Sequence, residues 1–502
     1  MRALEGLQPE RVFYYFEEIS KIPRGSYHEK AISDYLVEYA KGHGIIYYQD
    51  ELYNVVMQVP ASAGREDEEP VILQGHMDMV CEVRPGVDKD MEKEGLELYV
   101  EGDYVHAKDT TLGGDDGIAV AYMLAIADDE SISHPPLEFI ITVSEEVGME
   151  GANGINLSML KGHKMINVDS EDEGVFTMSC AGGVSAHVSI PISTVFAPDN
   201  TKWYELSVSG LVGGHSGCEI DKGRANANKI LGRALAELLT EVEFCIANVC
   251  GGKKDNAIPI QAQAVIGFWN MAGNEGLPDD EKAKKIVEEL ADVLRNEYIK
   301  SDDNISIMLN KIDDIDSVDS LLSTDEKRTV KVPDDVSRDK IITYLMSVPN
   351  GIQNMSMSVQ GLVETSLNLG ILELNEDHLF AQHSVRSSVG TRKEYVVKRL
   401  TSLAAALGGS VECKGDYPAW EYREDSKVRD KAVRLYEKMY GREPVVEGIH
   451  AGLECGLLAG KISGLDCISI GPDMKDIHTY NERLSISSTK RVYEFLIEFL
   501  RA

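Results

Sequence analysis

The sequence predicts an α/β fold with a large insert, and three observations predict it. Helical and strand-like segments alternate from residue 1 to about 180. That rhythm changes in "GGVSAHVSIPISTVFAPDN" at 182–200 and returns after about 420. Acids and histidines stand directly after apolar runs, where the carboxyl edge of a parallel sheet gathers its ligands. At 502 residues the chain is too long for one ordinary core. The simplest organisation is one α/β domain interrupted by another.

The elements follow in order. "ERVFYYFEEISKI" and "YHEKAISDYLVEYAKGHG" have the apolar spacing of amphipathic helices, the second stopped by Gly44. "NVVMQVP" and "PVILQGH" read as strands. "DDGIAVAYMLAIADD" is a helix of small apolar residues, hence closely packed. "PLEFIITVSEE" and "KMINVDSED" are strands that end in acids. Inside the insert, "WYELSVSGLVGGHSG" runs from a strand into a Gly-rich turn. "ANANKILGRALAELLTEV" and "DEKAKKIVEELADVLRNEYIKS" are helices, and "DDIDSVDSLLSTDEKRTVKVPDD" (313–335) is a charged, exposed excursion. "HLFAQHSVRSSVG" is a strand and "KEYVVKRLTSLAAALGG" a helix ended by glycines. The returning domain has "SKVRDKAVRLYEKMYG" as a helix, "LDCISIGP" as a strand and "STKRVYEFLIEFLRA" as the closing helix.

Composition narrows the function. There are 84 acidic against 50 basic residues, a formal net charge of −34, which argues against nucleic acid or an anionic membrane as partner. No apolar run approaches the roughly 20 residues needed to span a bilayer. The first residues carry acids where a signal peptide needs its apolar core, so the start reads as an amphipathic helix and the protein as cytoplasmic. The eight cysteines are scattered without a CxxC, the pattern of reduced thiols.

"VILQGHMDMV" (71–80) carries the chemistry most plainly. Alternate side chains of a strand share a face, so His76 and Asp78 point together. The aspartate can accept from one ring nitrogen and leave the other for a metal. Taken alone, the pair is better read as a satisfied His–Asp contact at a strand end. Four more segments reverse those odds: Asp115–Asp116 in "TTLGGDDGIAV", Glu145–Glu146 in "ITVSEEVGMEG", Asp169 in "INVDSEDEG" and His478 in "DIHTYNERLSI". Two imidazoles with three carboxylates suit two divalent cations, because zinc takes both donor types and keeps a position open for water. Adjacent acids leave an extended segment in opposite directions, so one of Glu145 and Glu146 reaches the metal. The spacing does not say which.

"GHMDMV", "TTLGGDDGIAVA", "SEEVGMEGA", "NVDSEDEG", "GGHSG" and "IHTYNE" together resemble the di-zinc metallopeptidases related to aminoacylases, carboxypeptidase G and carnosinases. Within that group the likeness, including "IHAGLECGLL", is greatest to the bacterial aminoacyl-histidine (Xaa-His, β-alanyl-histidine) dipeptidases. The resemblance implies a mixed-sheet α/β/α catalytic domain over 1–183 and 420–502, interrupted by an α+β lid or dimerisation domain over 184–419. It implies two Zn²⁺, with Co²⁺ or Mn²⁺ as substitutes: His76 and Asp169 on one, Glu146 and His478 on the other, Asp115 bridging both. Asp78 would orient His76, and Glu145 would be the general base acting on a zinc-bridging hydroxide. The Asp115–Asp116 peptide would be cis. In the insert, His215 would donate to the oxyanion when the lid closes, while Asn256, Arg386 and Gly452 would hold the substrate. The insert would otherwise supply homodimer contacts. The expected reaction is hydrolysis of Xaa-His dipeptides. The alternatives are an N-acyl amino acid deacylase or tripeptidase of the same family, and a non-catalytic metal-stabilised binding protein. The last predicts a missing base or ligand, and none is missing.

Overall fold

The computed structural model describes residues 2–269, 278–312 and 330–502. The chain divides into two compact units: Met1–Cys180 with Trp420–Ile449 and Leu453–Ala502, and Ala181–Ala419 with His450–Gly452.

The first unit is built on an eight-stranded mixed sheet. Its centre runs Leu137–Thr142, Val71–His76, Lys164–Asn167 and Asp466–Ser469, all parallel. Ile46–Gln49 and Val55–Val59 add an antiparallel edge. Val175–Cys180 and Val445–Ile449 complete the other side. Val71–His76 is buried along its whole length, which is why its sequence is apolar without alternation.

The two faces of this strand meet different helices. A Cβ on Gly75 would stand 2.5 Å from the Cβ of Ala119, so glycine lets the helix Gly114–Ala127 lie directly on the sheet. That helix is buried at every position from Gly117 to Ile126, as its run of small apolar residues requires. On the opposite face Gln74 donates to Glu454, the first residue of the helix Glu454–Lys461. Helices thus cover both sides, the α/β/α layering expected of this class. A separate four-stranded sheet joins Met474–Lys475, Arg483–Ser485, Tyr104–Ala107 and Leu98–Glu101.

The second unit is an α+β structure on a nine-stranded sheet. Its longest strands, Gly182–Pro191, Val363–Leu374 and His378–Ser387, pair antiparallel. Helices Ala227–Glu241, Asp279–Glu297, Asp335–Ser347 and Gly390–Ala406 contribute Leu235, Leu290, Leu345 and Leu400 to one core with it.

Two details differ from the sequence reading. The stretch where the rhythm changes, to which the sequence reading gave no element, holds a ten-residue strand, Gly182–Pro191, and a short one, Thr194–Phe196. Most of the charged excursion, 313–329, lies outside the described residues. Its last part, Lys331–Pro333, is a strand paired with Thr194–Phe196. The unanticipated helix Asp335–Ser347 follows at once, capped by the Asp334 carboxylate on the Ser337 N–H at 2.8 Å. A charged start hid both. Among the described residues no helix is long and apolar enough to cross a membrane.

His383 makes the second unit acid-sensitive. It is completely buried, its Nε2 stands 2.6 Å from the Tyr344 hydroxyl, and its Nδ1 has no protein partner. Burial, helped by the Lys229 charge, lowers its pKa from 6.5 to about 3. The unfolded chain therefore takes up a proton that the folded chain refuses, and stability falls as pH drops through that window. Between pH 7 and pH 5 the loss is about 2 kcal/mol. His383→Gln should lose less over the same interval in urea unfolding. Equal losses in both proteins would contradict this account.

Candidate metal centre

The expected ligands converge at the carboxyl edge of the parallel strands. His76 ends Val71–His76; Glu145 and Glu146 follow Leu137–Thr142; Asp169 follows Lys164–Asn167. Asp115 opens the helix Gly114–Ala127 with non-helical backbone angles, and its peptide bond to Asp116 is cis. His478 lies beyond Met474–Lys475 with φ 59°, a left-handed conformation uncommon for a residue with a Cβ.

His76 Nε2 is 3.1 Å from Asp115 Oδ1 and 3.5 Å from Asp169 Oδ1. His478 Nε2 is 3.1 Å from Asp115 Oδ2 and 2.9 Å from Glu146 Oε2. Each oxygen of Asp115 therefore faces a different histidine. A tetrahedral zinc with bonds of about 2.0–2.2 Å separates its ligand atoms by about 3.3–3.6 Å, so these donors fit such ions with little movement. Asp116 also brings an oxygen within 4.8 Å of the His76 and Asp169 donors. Its Oδ2 accepts the His76 backbone N–H at 3.2 Å, while its buried Oδ1 has no protein partner. Burial pushes its carboxyl well above the usual range.

The surroundings explain how the donors are aimed. Asp78 Oδ1 is 3.3 Å from His76 Nδ1 and accepts the Glu145 N–H at 3.1 Å. Its Oδ2 accepts from the Ser26 hydroxyl at 2.8 Å and the Glu146 N–H at 3.4 Å. His76 Nδ1 is also 3.2 Å from the Asp78 backbone carbonyl, so Asp78 orients the imidazole through both groups while its carboxylate pins the loop bearing both glutamates. Glu482, also buried, accepts the N–H groups of Leu112, Gly113 and Gly114 at 2.7–2.9 Å, just before Asp115. The buried Arg24 guanidinium donates to the carbonyls of Met77, Asp78 and Gly113. Gly113 is left-handed, with φ 64°, and a Cβ there would strike Arg24.

The electrostatics are those of a cation site. Burial lowers the affinity of the His76 ring for a proton, but hydrogen bonds to Asp115, Asp169 and Asp78 outweigh it and hold its pKa well above 6.5. Asp115 and Glu146 push His478 up to about 10. Burial raises Asp169 to about 6. Glu145 is driven well above the ordinary glutamate range, first by burial and then by the charges of Asp169, Glu454 and Glu146.

The remaining expected residues belong to the second unit. Gly214–His215 pairs with Ala257–Ile258, and the Ser216 N–H donates to the Asn256 carbonyl at 2.8 Å, so His215 and Asn256 are neighbours. His215 Nδ1 accepts the N–H groups of Gly217 and Cys218, each at 3.2 Å. Burial, with help from Arg386, lowers its pKa. It is therefore a neutral imidazole whose proton sits on Nε2. Arg386 donates to the Tyr417 hydroxyl at 3.1 Å. Gly452 belongs to the short segment His450–Gly452, where His450 Nε2 meets Ser366 Oγ at 2.7 Å.

Arg24, Glu482, His450 and Glu454 escaped the sequence reading. Three of them stood in stretches already singled out, Glu482 four residues after His478 and His450 and Glu454 within "IHAGLECGLL", but nothing there marked them as partners; Arg24 carried no signal.

The family description "Peptidase family M20/M25/M40" matches residues 72–502. The chain belongs to this peptidase family. It is 34% identical over 501 residues to the cytosol non-specific dipeptidase of Escherichia coli (strain K12), spanning 100% of this chain and 99% of that protein. The solved aminoacylhistidine dipeptidase of Vibrio alginolyticus is 33% identical and superposes with a TM-score of 0.89, over 99% of this chain and 97% of that one. The aminopeptidase PepT of Bacillus cereus ATCC 10987 shares the fold at 16% identity, TM-score 0.54, over 98% of both chains.

Because His76 and His478 hold protons among the carboxylates, a cation must displace them. Zinc uptake by the metal-free M20 protein at pH 7 should release a proton from each histidine, and affinity should rise with pH. Calorimetric titration in buffers of different ionisation enthalpy measures this. Uptake without proton release would contradict the assignment of these two ligands.

Proposed function

We propose that the protein is a cytoplasmic di-zinc dipeptidase that accepts Xaa-His substrates, β-alanyl-histidine among them. The observation carrying this reading is Asp115, each of whose oxygens faces a histidine, in a chain similar over its whole length to dipeptidases. His76 and Asp169 hold one ion, Glu146 and His478 the other, and Asp115 both; cobalt or manganese suits the same donors. When bound, the ions bring the pKa of a coordinated water toward neutrality and polarise the scissile carbonyl.

The chain's own groups do the rest. Glu145 takes the proton of the attacking water and returns it to the leaving amine. Its raised proton affinity suits a base that must hold that proton between the two steps. Asp78 keeps the His76 ring in place through Nδ1. His215, neutral with its proton on Nε2, donates to the oxyanion. Arg386 pairs with the substrate carboxylate, Gly452 offers it a backbone amide, and Asn256 adds a polar contact.

Zinc analysis with hydrolysis of carnosine, Ala-His, Leu-Gly-Gly and N-acetyl amino acids, before and after chelation, tests the reading. Cleavage of Leu-Gly-Gly or the N-acetyl compounds in preference to the dipeptides would make it a tripeptidase or deacylase. Glu145→Gln should keep both metals and lose about 10²- to 10⁴-fold in rate; wild-type kcat at full occupancy would remove Glu145 from its role.

His215→Ala should lower kcat by about 10² to 10³ with little change in KM, since the charge it meets exists only in the transition state. Its zinc content should equal that of the wild type. A raised KM with kcat intact would make His215 a ground-state contact instead.

A further inference from the structure

We propose that Glu454 is a positioning residue, a buried brace that fixes three metal-bearing strand ends relative to one another. The inference rests on the metal reading of His76, Glu146 and Asp169. Glu454 has no exposure to solvent and is given no metal, substrate or proton-transfer role above, although its charge is one of those that raise Glu145. Its Oε2 accepts from Gln74 Nε2 at 2.5 Å and from the Thr142 hydroxyl at 2.7 Å. Gln74 in turn accepts from Asn167 Nδ2 at 2.6 Å through its own Oε1. Gln74 stands two residues before His76, Thr142 three before Glu145, and Asn167 two before Asp169. One acid therefore reaches, directly or through one amide, the strand leading to each of these ligand segments.

Backbone ladders hold such strands side by side, with Gln74 opposite Ile140 and Asn167. An acceptor shared by Gln74 and Thr142 adds resistance to sliding along the strand direction. Sliding would change the 3.5 Å separation of His76 Nε2 from Asp169 Oδ1. Both hydrogen bonds end on Oε2, while Oε1 has no protein partner. The brace needs an acceptor there and not a charge. Burial agrees, raising the Glu454 pKa from 4.5 to about 7. An amide whose oxygen replaces Oε2 preserves both bonds.

The test compares wild type, Glu454→Ala, Glu454→Gln and Thr142→Val. Zinc affinity is read by competition with a chromophoric chelator, stability of the metal-free proteins by melting, and kcat and KM with Ala-His at saturating zinc. Glu454→Ala should bind zinc about 10- to 100-fold more weakly, the usual range for lost support behind metal ligands. Thr142→Val should weaken it by about threefold or more, with metal-free melting unchanged. Glu454→Gln should restore affinity to near the wild-type value. Wild-type affinity in Thr142→Val overturns the brace even if Glu454→Ala fails to fold. Equal damage in Glu454→Gln and Glu454→Ala overturns it too, since charge would then be what matters. A wild-type protein that binds no zinc sinks the metal reading itself, and this inference with it.

Discussion

Three carboxylates that stand 2.9–3.5 Å from two imidazoles repel one another, and the first unit is arranged around holding them there. Coulomb repulsion between neighbouring carboxylates is large wherever water is scarce. Asp115, Glu146 and Asp169 come from three separate segments, so no local conformation could impose their spacing. For Glu146 and Asp169 the parallel sheet does so by ending its strands on one edge, and Asp115 is brought there at the start of the helix Gly114–Ala127. Donors then finish the aiming. Asp78 takes two backbone N–H groups, a hydroxyl and the His76 ring, and Glu482 takes three successive N–H groups ahead of Asp115.

The second unit solves a different problem with similar means. His215 presents a proton from Nε2 because two backbone N–H groups occupy Nδ1. The left-handed Gly213 and Gly214 before it, with φ 70° and 136°, are what let the chain make that turn. The tautomer is thus set by main chain, while the Glu219 carboxylate accepts the His215 backbone N–H at 2.9 Å.

Legibility followed sequence distance. His76 and Asp78 could be paired on paper because they stand two positions apart and a strand aligns them. The acids after each apolar run were visible because the carboxyl edge of a sheet is a general address. The ordered motifs then supplied the choice between Glu145 and Glu146, which spacing left open. Glu454 was invisible as a partner of Gln74, since the two lie 380 positions apart and no periodicity links them. Arg24 was equally hidden: its acceptors are the carbonyls of Met77, Asp78 and Gly113, and carbonyls leave no mark on a sequence. The helix Asp335–Ser347 was lost for a local reason, its charged entry resembling the loop before it.

The position of Asp466–Ser469 has a consequence for synthesis on the ribosome. This strand lies inside the first unit's sheet, between Lys164–Asn167 and Val175–Cys180, yet it is made some three hundred residues after them. Until it emerges, the nascent chain has a gap where two strand edges lie open, the kind of surface that invites wrong pairing and chaperone binding. His478 arrives only afterwards. A growing polypeptide therefore cannot assemble the proposed ligand set while the second unit is still being translated, and a peptide-cutting site stays silent until Asp466–Ser469 and His478 have followed that unit.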